Sequence, residues 1–262
     1  MRNVFISAVL AAGLLAAGAA HAATVLITGT NKGIGLEFTK QYAEKGWTVI
    51  ATARRPDEAK DLKALAAKHK NIMVEKLDVV DLDSVKALAT KYKGKPIDVL
   101  INNAAILGAT KEEVVGAFNR ETFRQIMDTN VYGTLAVTEA LLENVKTSEQ
   151  KKVVVITSQA GSISQAGFVG GILFYRMSKA AVNMAMQTLK ADTKGHGIIF
   201  ASVAPGLVDT EMEKQLQGAL PIEMPKPISP AESVAGMIKV IEGLNAQNSA
   251  KVFNYSGENI PF

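Results

Sequence analysis

The sequence predicts a single α/β domain: a doubly wound, parallel, seven-stranded sheet with helices on both faces. Three observations carry that expectation. Short β-branched runs alternate with amphipathic helical patterns from Thr24 to Tyr255, with no linker, internal repeat or low-complexity tract between them. The stretches joining successive runs are long enough to hold a helix, and a right-handed helical crossover joins parallel neighbours. The run Lys151–Thr157 is so β-branched that both of its faces must be covered.

Composition fits that class and excludes others. The chain has 262 residues, 48% hydrophobic and 21% charged, which is globular and sufficient for a substantial core. Net charge is +4, from 29 basic and 25 acidic residues spread along the chain. The densest basic run, Lys91, Lys93 and Lys95, reads as a solvated helix end, so no nucleic-acid partner is expected. With no cysteine, disulfides and thiol catalysis are excluded. No His or carboxylate cluster has ligand spacing, and no metal is expected.

Residues 1–22 read as a signal peptide preceding a domain at 23–262. Arg2 precedes an apolar run, Val4 to Ala20, and Ala20-His21-Ala22 fits a small-x-small cleavage site. Cleavage predicts a periplasmic or secreted protein with no membrane anchor. An uncleaved anchor is the alternative, since the run approaches spanning length. Unused, the segment would leave the protein cytoplasmic.

The first strand runs from Thr24 to Ile27 and stops at Thr28-Gly29-Thr30-Asn31-Lys32-Gly33-Ile34-Gly35. A helix over Ile34–Lys45 follows at once, with Phe38, Tyr42 and Ala43 inward. This joint turns free N–H groups and the positive helix end toward an anion, and the glycines let the backbone approach it. A dinucleotide pyrophosphate is the expected guest; a plain strand-to-helix turn is the bland reading. Trp47–Thr52 is the second strand. Where an NAD site would carry an acid for the ribose hydroxyls, Ala53, Arg54 and Arg55 follow. Arg54, with Lys32, would suit a ribose 2′-phosphate, so NADP is expected over NAD. Solvated loop charges are the alternative.

Pro56–Lys70 is expected to be one helix and Ile72–Leu77 a strand, with Asp78 and Val79 at its end. A helix up to Tyr92 and a strand from Ile97 to Ile101 come next, the strand running into Asn102-Asn103-Ala104-Ala105. Glu121–Lys146 reads as one long helix with Asn130, a poor helix former, in its middle. The strand Lys151–Thr157 ends at Ser158. In the next helix, Phe174–Lys194, Tyr175 and Lys179 stand four apart and share one face. The sixth strand, Ile198–Val203, leads to Pro205-Gly206-Leu207-Val208-Asp209-Thr210. The segment to Ile228 reads as either an apolar flap or a short packed helix. A capping box at Ser229 opens the last helix, and Lys251–Tyr255 is the seventh strand.

Together these motifs closely resemble the short-chain dehydrogenase/reductase family, over Ala23 to Phe262. Gly33 to Phe38, Tyr175 to Asn183 and the tail Ile260-Pro261-Phe262 look like its Sniffer/C-factor branch of carbonyl reductases. The resemblance implies a Rossmann fold and an oxidoreductase that passes hydride from NADPH to an aldehyde, ketone or quinone. It implies Tyr175 as general acid, Ser158 on the carbonyl oxygen, Lys179 on the nicotinamide ribose, and Asn130 on a relay water. It places Asp78 and Val79 at adenine, Asn103 at the adenosine-side ribose, and Val208 and Thr210 at the carboxamide, with Ala104, Pro205 and Gly206 also on the cofactor. Positive charge at Lys179 is expected to lower the Tyr175 pKa. A homodimer or homotetramer pairing through 121–146 and 174–194 is implied too. The C-factor likeness leaves a second reading open: an exported signalling or dinucleotide-binding protein without required turnover. Two departures stand out. Ala105 replaces a glycine, and Ser158 lies further from Tyr175 than usual. Ser162 holds the usual spacing, but Ser158 holds the strand end and is preferred.

Overall fold

The computed structural model describes residues 22–168, 170–220, 222 and 224–262. The expected signal segment, up to residue 21, lies outside the described residues.

The sheet has seven parallel strands in the order β3-β2-β1-β4-β5-β6-β7. These are β1 (Thr24–Ile27), β2 (Thr48–Ala53), β3 (Ile72–Lys76), β4 (Val99–Asn102), β5 (Lys152–Ile156), β6 (Ile199–Ala204) and β7 (Val252–Asn254). Alternation along β1 shows why both faces fill. Val25 and Ile27 enter one core, Leu26 the other. The first core packs α1 (Gly33–Glu44), α2 (Lys60–Lys68) and α8 (Pro230–Glu242) through Phe38, Tyr42, Leu62, Val234 and Met237. The second packs α3 (Leu82–Lys91), α5 (Gly133–Lys146) and α6 (Leu173–Asp192) through Val85, Leu88, Val137, Leu141, Val182 and Met186.

Register is set by those faces: Leu26 lies between Ile50 of β2 and Leu100 of β4. A one-residue slip would exchange the two cores' side chains. The order reverses between β1 and β4, so their carboxyl ends splay and open a crevice.

Two expectations are corrected, and one left open is decided. Pro56–Glu58 is a separate 3-10 turn, and α2 begins only after Ala59, whose ψ of 71° is not helical. The long helix at 121–146 is α4 (Arg120–Met127) and α5, joined by a π turn at Asp128–Tyr132 that contains Asn130. The segment after β6 holds a packed helix, α7 (Glu211–Gln217), capped by Thr210 through the N–H of Glu213. The N-cap bond of the expected capping box at Ser229 forms, its hydroxyl accepting the N–H of Glu232 at 3.1 Å.

Candidate active site

The crevice floor is two loops locked together. The Thr28 hydroxyl accepts the N–H groups of Asn103 and Ala104, both at 2.9 Å. The Asn103 amide donates back to the carbonyls of Thr28 and Gly29. Gly29 stands at φ +70°, and a Cβ there would lie 2.9 Å from the Ala104 Cα. At Gly35 a Cβ would lie 2.2 Å from the Gly29 oxygen. Side chains at either place would push the loops apart. Asn31 and Lys32 are exposed, and Ile34 packs against the core behind. α1 begins at Gly33 with no side-chain cap and no acid in its first turn. Its leading N–H groups therefore face the crevice unneutralised, as an anion site requires.

Other expected contacts rim the same crevice. Val79 is buried against Gly133, where a Cβ would come within 2.8 Å of it. Asp78 bonds the N–H of Val80 and thus shapes its own turn. Pro205 accepts a bond from Ser233; Gly206, at φ +77°, lies under the Tyr255 ring. Val208 bridges to Ile228. The Thr210 methyl approaches Gly33 closely enough that a Cβ there would meet it at 3.6 Å. Arg54 is exposed and has no hydrogen bond or ion pair among the described residues, while Lys32 is engaged by Glu211. Of the two cations, Arg54 is the free one.

Beyond the end of β5 three of the expected site side chains converge. The Lys179 ammonium donates to the Ile156 carbonyl at 2.8 Å and lies 5.6 Å from the centre of the Tyr175 ring. Ser158 stands by the Tyr175 phenol and works to lower its pKa, while its hydroxyl accepts the Ala160 N–H at 3.1 Å. Gly161 permits this, because a Cβ there would sit 2.8 Å from Lys179 main-chain and side-chain carbons. Ser162 faces away, donating to the Pro261 carbonyl of the carboxyl tail. Of the two serines, Ser162 is thus engaged by the carboxyl tail, and Ser158 is the one beside the phenol.

Electrostatics depart from expectation. Burial pushes the Tyr175 phenol up to about 12, with Ser158 pulling weakly the other way. Lys179 does not lower it in the chain alone. The same burial brings the Lys179 ammonium itself down to about 8, weakening the cation meant to act.

Asn130 makes three side-chain hydrogen bonds and keeps one acceptor lone pair. Its carbonyl oxygen accepts the Ile106 N–H at 2.8 Å, and its amide donates to the Ile106 oxygen and the Ser178 hydroxyl. It therefore ties the loop after β4 to the helix carrying Tyr175 and Lys179. The π turn aims it there; an unbroken α-helix would point it elsewhere.

The family model for short chain dehydrogenase matches residues 23–220. The chain belongs to that family. A carbonyl reductase from chicken fatty liver, solved with NADPH bound, superposes with TM-score 0.82 at 30% identity, over 92% of this chain and 100% of that one. The Sniffer carbonyl reductase of D. melanogaster superposes with TM-score 0.80 at 25% identity, with the same coverage. The C-signal of Myxococcus xanthus is 35% identical over 178 residues, which is 68% of this chain and 100% of that protein. Within the short-chain dehydrogenase frame, α7 is a cover. Met212 and Leu216 pack with Leu107, Ile172 and Tyr175, which leaves Tyr175 8% exposed.

Two features escaped the sequence. Glu113, 1% exposed, lies against the main chain of Tyr175. Within Lys111-Glu112-Glu113 nothing local distinguishes it. An apolar groove of about 380 Å³, with Val115, Phe118, Ile163 and Met177 among its walls, opens on the outer side of α6. Tyr175 and Ser158 do not line it.

Proposed function

We propose that the chain is an NADPH-dependent carbonyl reductase acting on a modestly hydrophobic aldehyde, ketone or quinone. The observation that supports this best is the convergence of Ser158, Tyr175 and Lys179 beside a crevice whose floor cannot accept side chains at Gly29 or Gly35. Those glycines and the uncapped start of α1 fit a dinucleotide pyrophosphate. Arg54 would hold the 2′-phosphate, and Asp78, Val79, Asn103 and Ala104 would flank the adenosine. Pro205, Gly206, Val208 and Thr210 would border the nicotinamide end. Bound NADPH would supply the hydride.

The chain's own groups do the rest. Ser158 donates a hydrogen bond to the substrate oxygen and stabilises charge as it develops there. Tyr175 passes its phenolic proton to that oxygen. A phenol held near 12 is fully protonated at neutral pH, which suits a proton donor in the reductive direction. Lys179, near 8, holds the ribose hydroxyls and offers positive charge as the phenolate forms. Asn130 would share a relay water with Lys179 through its remaining acceptor capacity.

NADPH oxidation by the purified protein, against a panel of aldehydes, ketones and quinones, tests the reading with Tyr175→Phe alongside. Turnover should fall at least about a hundredfold in the variant, the usual worth of a positioned general acid. NADPH binding should be unchanged. Clear NADPH binding with no wild-type turnover would favour the second reading, a dinucleotide-binding signalling protein, which the likeness to the C-signal motivates.

We also propose self-association through α5 and α6, where Met177, Met184 and the preceding Tyr132 are exposed. Export through residues 1–22 is proposed likewise, and subcellular fractionation tests it.

A further inference from the structure

The turn of α6 that carries Tyr175 lacks a cap of its own. The helix starts after Ile172, which stands at φ 45°, ψ 41° and makes no side-chain cap bond. A β-branched residue is strained in that left-handed region, and its side chain has no acceptor to offer. The leading N–H groups of the helix have no partner inside it.

A carboxylate from a distant loop takes that place. Oε2 of Glu113 accepts the Tyr175 N–H at 3.0 Å, and the Phe174 N–H beside it also favours the ionised carboxylate. Gly108, at φ +87°, makes room for it. A Cβ there would lie 3.2 Å from Glu113 Oε1 and 2.4 Å from the Ile126 Cδ1. The loop itself is fastened: Gln215 of α7 donates to the Gly108 carbonyl. Glu113 thus couples the loop after β4 to the first turn of the helix that presents the phenol.

We propose that Glu113 is a positioning residue for Tyr175, clamping the first turn of α6 from outside the helix so that the phenol keeps its place beside Lys179 and Ser158. Its action runs through the Tyr175 main chain. A charged acceptor on two helix N–H groups makes a stiffer clamp than a neutral one.

Stability does not explain the carboxylate. Burial raises its pKa, and the two N–H groups only partly offset that. A raised group contributes stability below its unfolded value and loses it as pH rises, so an ionised Glu113 costs the fold at neutral pH. Its Oε1 has no hydrogen-bond partner. An amide of the same shape would bond the same groups without desolvating a charge.

The kinetic readout rests on the reductase reading; a second readout does not. In Glu113→Ala, kcat should fall roughly ten- to a hundredfold, the scale set by a misplacement of about 1 Å. KM for NADPH should hold. Glu113→Gln should recover most of that kcat, with a thermal midpoint equal to or above wild type. Independently of turnover, amide exchange at Phe174 and Tyr175 should accelerate at least tenfold in Glu113→Ala. Unchanged exchange there overturns the clamp, as does a kcat within twofold of wild type. A midpoint in Glu113→Gln that drops together with its activity overturns it too, by showing a merely structural carboxylate. A wild type with no turnover defeats the reductase reading, and the exchange data then decide the clamp.

Discussion

Replacing Lys179 with Met should make the protein more stable and far less active. Lys179 is 3% exposed, on a helix face turned into the sheet. Burial brings its ammonium from 10.5 down to about 8. At about 1.4 kcal/mol per tenfold change in proton affinity, keeping that group charged below pH 8 costs the fold roughly 3 kcal/mol. Methionine has nearly the same length and no charge to desolvate. It forfeits the charge-assisted bond to the Ile156 carbonyl, worth at least about 1.5 kcal/mol. The net gain at pH 7 is at most about 1.5 kcal/mol, or roughly 3–6 °C in the midpoint for a chain of this size. The sign follows from proton counting. The folded pKa lies below the unfolded one, so the unfolded chain binds more protons between them, and wild-type stability rises with pH across that window. The advantage of Lys179→Met should therefore be complete below pH 8 and gone above 10.5. Urea titrations at pH 7 and at pH 10.5, on both proteins, measure it. Carbonyl reduction by the same samples should drop at least about a hundredfold. A Met variant less stable than wild type at pH 7, with the same dependence on pH, would refute this account of the lysine.

Two further substitutions probe the cofactor side. Gly35→Ala puts a Cβ 2.2 Å from the Gly29 oxygen and 2.6 Å from the Asn103 amide nitrogen, so the two loops must part. NADPH affinity, followed by nucleotide fluorescence, should weaken at least about tenfold, with a stability loss of about 1–3 kcal/mol; unchanged affinity would disconnect this loop from the nucleotide. Arg54→Asp removes the free cation after β2. If that guanidinium holds a phosphate, about 1.5–3 kcal/mol of charge-assisted bonding is lost, or roughly ten- to a hundredfold in kcat/KM for NADPH. The value for NADH should hold or rise, and equal losses with both cofactors would defeat the assignment.

Much of the fold was legible because local chemistry and global architecture agree here. β-branched runs and helical periodicity placed all seven strands, and Gly29, Gly33 and Gly35 announced the loop that must approach something closely. Where local signals failed, tertiary contacts had taken over. The apolar periodicity of 121–146 is continuous, so nothing marked the π turn; Asn130 is drawn inward by Ile106 and Ser178, which are distant in sequence. Pro56–Lys70 broke because Ala59 adopts a non-helical ψ that composition does not announce. Ser162 differs from Ser158 through the carboxyl tail, whose Pro261 carbonyl engages the Ser162 hydroxyl from far along the chain.

By itself the sequence determined the strands and the order in which the candidate side chains follow them. Periodicity is a local property, and it survives being read one residue at a time. Tertiary structure alone decided the proton affinities of Tyr175 and Lys179, the cover that α7 lays over the phenol, and the partner that caps its helix. Those depend on how much water is excluded and on which distant backbone arrives, and neither is encoded in any window of neighbouring residues.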